Sequence, residues 1–492
     1  MKKHFKLLAL ILSLCLALPL LVACNGNDAE KTPTDDTNTE NRSEVSLEKT
    51  SETSIEELIN IPKTDYGEDF LMLINPDTNK FHYHWVEESS NDVMTEAVYA
   101  RQEKVREHLG VYMFAEARND PNYDSKFKTA VKNKDGSVDF MLSHVNTSTA
   151  ALVTGGFLTD FRKMESINLD ADYWNLEFME QIALTDSLYF GRSDYNILYT
   201  YVVVFNKQML AKYGNHLDES VYEMVDNYHW TLDKLISLAE LVYIDKTADG
   251  KTEDDTFGIS GEQWVEFIGF MHSSDINIMA INDQGKPEVC CFGETTAAKT
   301  AQLVEKLKYL VESNSALFSF RKDKTPVVPM STGRTLFALY STSALEQLLN
   351  SGIEFGILPY PMFDESQKDI GYRSLQWGGY QCIPSYVDNF NMVGDTLEVL
   401  SFYSDPVNVA FYEKLLGKQA SDLPDDRRML DIVWNGICSD IAQTYNIDIL
   451  YMVPYLTKAG AEQSLASYMA SNQISSNKKI KQIYMSLQKI ED

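Results

Sequence analysis

The chain is 492 residues long, 44% hydrophobic and 11% aromatic, enough to bury substantial cores in two or three domains. Its 72 acidic residues outweigh 43 basic ones, for a formal charge of −29. That balance excludes a partner gripped through phosphates and argues against an electrostatic hold on anionic lipid.

At the amino end Lys2, Lys3 and Lys6 precede the apolar run Leu7 to Val22, the layout of a secretory signal over residues 1–23. The run is 16 residues and contains Pro19, short of the roughly 20 that a membrane span needs. It closes with Leu21-Val22-Ala23-Cys24, which resembles the lipobox of a bacterial lipoprotein. The resemblance implies cleavage before Cys24 and acylation of that cysteine, so that lipid chains hold the protein on the outer face of the cell membrane. Asn25 to Ser54 carries eight acids, three bases, ten Ser/Thr and no aromatic residue. Such a composition cannot offset chain entropy by burial, so residues 24–64 are expected to form a disordered tether.

The folded part is expected to begin near Asp69, with a strand at Phe70–Ile74, a polar turn and a second extended run at Phe81–Val86 that carries His82 and His84. A helix follows, capped by Asn91 or Asp92, with Val93, Ala97, Val98, Val105 and Leu109 on one face and Gly110 at its end. Val111–Ala115 reads as a strand, Lys126–Val131 as helix and Val138–Leu142 as strand. This alternation predicts a parallel sheet, whose ligands sit beyond the carboxyl ends of its strands. The loops 85–88 and 143–147 are the expected rims. From Tyr199 and Tyr201 a β-branched run leads to Phe205-Asn206-Lys207. Helices begin at Thr231 and Ala297, strands return at Thr335–Tyr340 and Ile353–Leu358, and the tail from Thr396 reads as mostly helical.

Four cysteines remain beyond the signal and the lipobox: Cys290, Cys291, Cys382 and Cys438. They form no disulfide framework and no CxxC motif, which favours free buried thiols and leaves open one disulfide involving Cys382 or Cys438. Two histidines without a third ligand do not make a zinc site. The segment from Asp245 through Asp249 to Glu253 resembles a calcium loop, with glycine at its sixth position. Its twelfth residue is Thr256 rather than a bidentate Glu, which favours a turn stabilised by Asp and Gly over a metal site. No cofactor is expected.

Five pieces of sequence, in order, resemble the extracellular solute-binding proteins of bacterial ABC importers, in the branch associated with sugars: Asn91–Val111, Val203–Lys207, Phe355–Pro361, Cys382–Ser385 and Arg427–Ile432. The resemblance spans nearly all of Asp69 to Tyr445. It implies an α/β fold of two lobes that close like a hinged clamp (type II), each lobe a mixed or parallel sheet flanked by helices. Crossings between lobes are expected near Tyr195–Tyr201, Thr335 and Tyr372–Tyr380. The lobes would then be residues 65–198 with 333–372, and 199–332 with 373–492.

Sugars offer hydroxyls and a weakly polar C–H face, so their sites combine aromatic platforms with polar side chains. On that ground and by position in the resemblance, Trp264 and Trp377 lead the expected ligand contacts, then Trp85 and Asn146. Tyr199, Glu87, Tyr340 and Arg373 are secondary. The implied function is capture of a mono- or oligosaccharide by a monomer that delivers it to a membrane permease, without catalysis. A surface carbohydrate-active enzyme or a sugar receptor without transport is the alternative. No GxSxG, HExxH or P-loop supports an enzyme.

Overall fold

A computed structural model describes residues 58–75, 80–117, 123–143, 149–197, 199–320, 330–416 and 423–491. Cys24, the expected signal and almost all of the tether lie outside them, as does Asn146. Residues 59–64, expected to belong to the tether, are packed: Ile59 and Ile61 are buried, and the His108 ring meets the Ile61 carbonyl at 3.0 Å.

The first sheet joins β1 (Asp69–Ile74), β2 (Tyr112–Ala117) and β3 (Phe140–Leu142), with β1 central and parallel to both neighbours. The expected helix forms over Val93–Leu109. Asp92 caps it by accepting from the Thr95 amide at 3.1 Å, and Gly110 ends it at φ 63°. A β-carbon on Gly110 would lie 2.0 Å from the Asp65 carboxylate, so glycine serves both the left-handed turn and the close approach. Phe81–Val86 departs from expectation. Phe81–Tyr83 is a 3-10 turn rather than a strand, because the Phe81 carbonyl accepts locally from the amides of His84 and Trp85 and no described strand pairs with it.

The second sheet holds β4 (Tyr201–Asn206), β5 (Tyr243–Ile244), β6 (Thr256–Glu262), β9 (Ala316–Ser319), β10 (Thr335–Ser341) and β11 (Phe355–Leu358). Its order is β11-β4-β10-β6-β5, with β9 also on β6; a separate hairpin pairs β7 (Met279–Ile281) with β8 (Pro287–Val289). β6, β9 and β10 run parallel and β4 runs against β10 and β11, so the sheet is mixed. Helices Val265–Ser273 and Ala297–Glu312 supply the connections that parallel strands require.

Strand pairing corrects the expected division of the chain. Residues 333–372 were assigned to the first lobe, yet β10 and β11 both pair with β4 in the second sheet. β10 is buried on both faces, with Phe337 and Leu339 in one core and Ala338 in another, which only a central strand permits. No crossing occurs at Thr335. The chain returns instead through β12 (Ser374–Leu375) to β13 (Gln381–Cys382), which pairs antiparallel with β3. Two antiparallel segments therefore link the sheets, with bridges at Gly191–Gln381 and Thr200–Gln376 and the Trp377 amide donating to the Tyr199 carbonyl at 2.6 Å. Helix Phe390–Phe402, expected in the second lobe, packs Met392, Val393, Leu397 and Leu400 into the core under the first sheet. Beyond it, helix Leu423–Asn435 packs on β11, so a third connection leads back. The last helix, Leu465–Glu491, runs along β8 and ends with Glu491 accepting from the Thr185 hydroxyl at 2.6 Å.

All four described cysteines are free, and burial pushes each thiol up. This resolves the open disulfide: Cys382 lies in β13 and Cys438 in β14 (Ile437–Cys438), which pairs with β12.

Candidate functional site

In the second sheet the carboxyl ends of β6, β9 and β10 and the amino end of β4 meet at one edge, beside the segments that cross to the first sheet. Open sheets of this kind take ligands at such an edge. The sequence places Tyr201 at the start of β4, Glu262 at the end of β6, and Gln263-Trp264 between β6 and helix Val265–Ser273.

Trp264 occupies the N-cap of that helix without a capping side-chain bond. Half-buried, it stacks on Tyr451 at 4.6 Å between ring centres and 13° between planes, with Tyr455 and Phe320 edge-on at 5.6 and 5.8 Å. Lys458 lies over the far ring, Phe320, at 4.3 Å. Trp377, half-buried on the returning segment, sits 6.1 Å from the ring of Tyr201, which in turn is 6.4 Å from Tyr360. The two leading aromatic candidates thus occupy this edge, one on a strand-to-helix turn and one on the crossing.

Sequence reasoning missed the acids and tyrosines that accompany them. Glu266 lies in the first turn of the helix, and its Oε2 is buried with no partner. Burial first, then the Glu262 charge, pushes this carboxyl up to about 8. Tyr201 and Tyr360 are raised well above the ordinary phenol value by burial and by the Glu266 charge, and the Tyr360 hydroxyl is buried and unpartnered. The signal that could have found Glu262 and Glu266 was position: both lie within four residues of a parallel strand's carboxyl end.

The other expected contacts lie elsewhere. Tyr199 is fully buried on the opposite side of the crossing, edge-on to Phe411 at 6.0 Å in a core with Tyr83 and Val202. Tyr340 packs against that same core. Trp85 donates its indole N–H to the carbonyl of Met113, near the amino end of β2, at 2.8 Å and packs on Phe81. It therefore stands away from the strand carboxyl ends, and Glu87 beside it is exposed. Arg373 is spent on a half-buried pair with Asp275 at 2.5 Å. In the resembled calcium loop, Asp245 accepts from the amides of Thr247, Ala248 and Gly250, and Thr247 donates to Asp249. That geometry is an Asp-centred turn, and among the described residues no cluster of three metal-ligating side chains occurs.

No protein-family model and no curated protein matches the sequence. Among solved structures, similarity extends over most of the chain. The GacH receptor of Streptomyces glaucescens, solved unliganded and with acarbose, matches at a TM-score of 0.55 and 14% identity, over 84% of this chain and 98% of that one. UgpB from Mycobacterium tuberculosis, in complex with glycerophosphocholine, matches at 0.51 and 14% identity, over 86% and 98%. An ABC substrate-binding protein from Listeria monocytogenes, in complex with cycloalternan, matches at 0.50 and 11% identity, over 86% and 98%. The chain has the fold of these solute-binding proteins. The α/β sheets flanked by helices match the two-lobed architecture of these neighbours. No helix among the described residues is long and apolar enough to cross a membrane.

Proposed function

We propose that this protein captures a carbohydrate between its two lobes and hands it to the permease of an ABC importer, without altering it. The observation that carries the reading is that half-buried Trp264 and Trp377 both lie at this edge of the second sheet on the solute-binding fold, with unpartnered buried oxygens on Glu266 and Tyr360. Aromatic faces suit the C–H face of a sugar ring, and carboxylates and phenols suit its hydroxyls. Acarbose and cycloalternan, named with two of the similar structures, are carbohydrates. In this reading Trp264, Trp377 and Tyr201 contact the ligand. Trp85, Glu87 and Arg373 serve structure or surface.

In the same reading the lipobox-like sequence at Cys24 would anchor the protein, working as a monomer, to the outer face of the membrane. Closure on a ligand is a population shift driven by contacts that only the closed arrangement offers. A thermal-shift panel of mono- and oligosaccharides tests the reading, since a ligand that binds only the folded state raises its melting temperature. Binding with the sugar recovered intact supports it. A raised carboxyl beside a second acid also fits general-acid chemistry, so appearance of cleaved product would replace capture with hydrolysis.

A further inference from the structure

Two other buried carboxylates are well supplied with donors. Asp440 accepts from the amides of Ile278, Met279 and Ala442 and faces His272; Asp426 accepts from the Tyr222 hydroxyl and the Ile357 amide and pairs with Lys207 at 3.0 Å. Glu266 is different. Its Oε2 is buried with no donor, and the hydroxyl of Tyr360, a residue only 1% exposed, is equally unpartnered within reach of the Glu266 charge. An orphaned buried polar group is costly, more so if charged, and calls for a partner.

The surroundings narrow the partner's chemistry. Tyr201, Tyr360 and Phe270 are buried core rings packed together, with Tyr201–Tyr360 at 6.4 Å and Phe270–Tyr360 at 4.8 Å, and the half-buried Trp377 lies 6.1 Å from Tyr201. Glu262 is a second acid close enough to push the Glu266 carboxyl up further. Among the described residues no ion pair reaches Glu266, and Lys458 is held over Phe320, beyond Trp264. A half-buried indole near an unpartnered carboxyl attracts a cation twice, through the ring quadrupole and through a charge-assisted hydrogen bond. An anion would meet two acids.

We propose that this corner is an ammonium subsite: Glu266, backed by Glu262 and with Trp377 nearby, receives the protonated amino group of an amino sugar. The proposal deepens the carbohydrate reading and rests on it. Glu266 is here a specificity-determining residue, because it rewards ligands in which an ammonium replaces a hydroxyl.

Isothermal titration of the full folded chain with glucose, glucosamine, N-acetylglucosamine and glucuronate, and with their β-1,4-linked trimers, tests it. The amino forms are expected to bind about ten-fold or more tightly than their acetylated and neutral counterparts, with the uronates weakest. Glu266→Gln should bring amino and neutral forms within about three-fold of each other, and Glu262→Gln should shrink the preference by less. The wild-type ranking decides the matter even where a variant fails to fold. Neutral sugars binding as tightly as amino sugars would overturn the ammonium subsite and leave the carbohydrate reading standing. Failure of every saccharide to bind would overturn both.

Discussion

Glu398 and Glu266 are both carboxyls with buried oxygens, one in the core beneath the first sheet and one at the edge of the second. Glu398 receives the Trp174 indole N–H at 2.7 Å, the Asn168 amide at 3.2 Å and the Tyr173 hydroxyl, so the raising effect of burial on it is opposed by three donors. Glu266 receives no side-chain donor among the described residues, and its buried Oε2 has no partner. Saturation marks a group that holds the lobe together. At Glu266 its absence is what the proposed ligand would make good.

That contrast can be broken by substitution. Glu398→Ala should cost roughly 3 kcal/mol or more, because three buried donors lose their acceptor at once, and a denaturant melt would show it. Ligand affinity of the surviving folded protein should be unchanged. For Trp264→Ala and Trp377→Ala the effect should fall on affinity instead, by about 2 kcal/mol or roughly thirty-fold each in a titration. Trp85→Ala sharpens the comparison: it should lose about 2 kcal/mol of stability and leave binding alone, since its indole is tied to Met113.

The pH dependence of stability offers a subtler handle. A carboxyl raised on folding holds its proton more firmly in the folded than in the unfolded state, so its contribution to stability falls as pH rises from about 4.5 to about 8 and is level above. Asp194, raised to about 7 by burial and by Asp405, and Asp139, raised to about 6 by burial, add slopes of the same sign. The difference between wild type and Glu266→Gln isolates the one group. Melting temperatures compared at pH 5 and 8 should show a smaller decline in the variant, and an equal decline would mean that Glu266 is not buried as a lone acid. The smallest effect is expected from Asp275→Asn, which breaks a half-buried pair with Arg373 and should cost no more than about 1 kcal/mol without changing affinity.

Much of the local structure was legible in the residues. Asp92 and Gly110 bracket their helix, Thr231 caps the next, and the apolar run of β4 stands where its composition puts it. What failed to show were facts of long range. β10 has the same strand pattern whether it joins one sheet or the other, and only its pairing with both β4 and β6 decides. Tyr199 and Tyr201 are two residues apart and would share a face in one continuous strand, yet the break at Thr200, where the chain leaves the crossing and enters β4, turns them into different cores. One became packing and the other part of the site. Phe81–Val86 looked extended because its aromatics alternate, but local bonds curled it first.

Intrinsic tryptophan fluorescence, titrated with saccharides against wild type and a Trp264→Phe, Trp377→Phe double variant, addresses capture most directly. A saturable change in the wild type, absent from the double variant while Trp85→Phe keeps it, with every sugar molecule recovered intact, is the expected outcome. A saturable change that survives loss of both tryptophans, or a shortened sugar in the recovered pool, would contradict it.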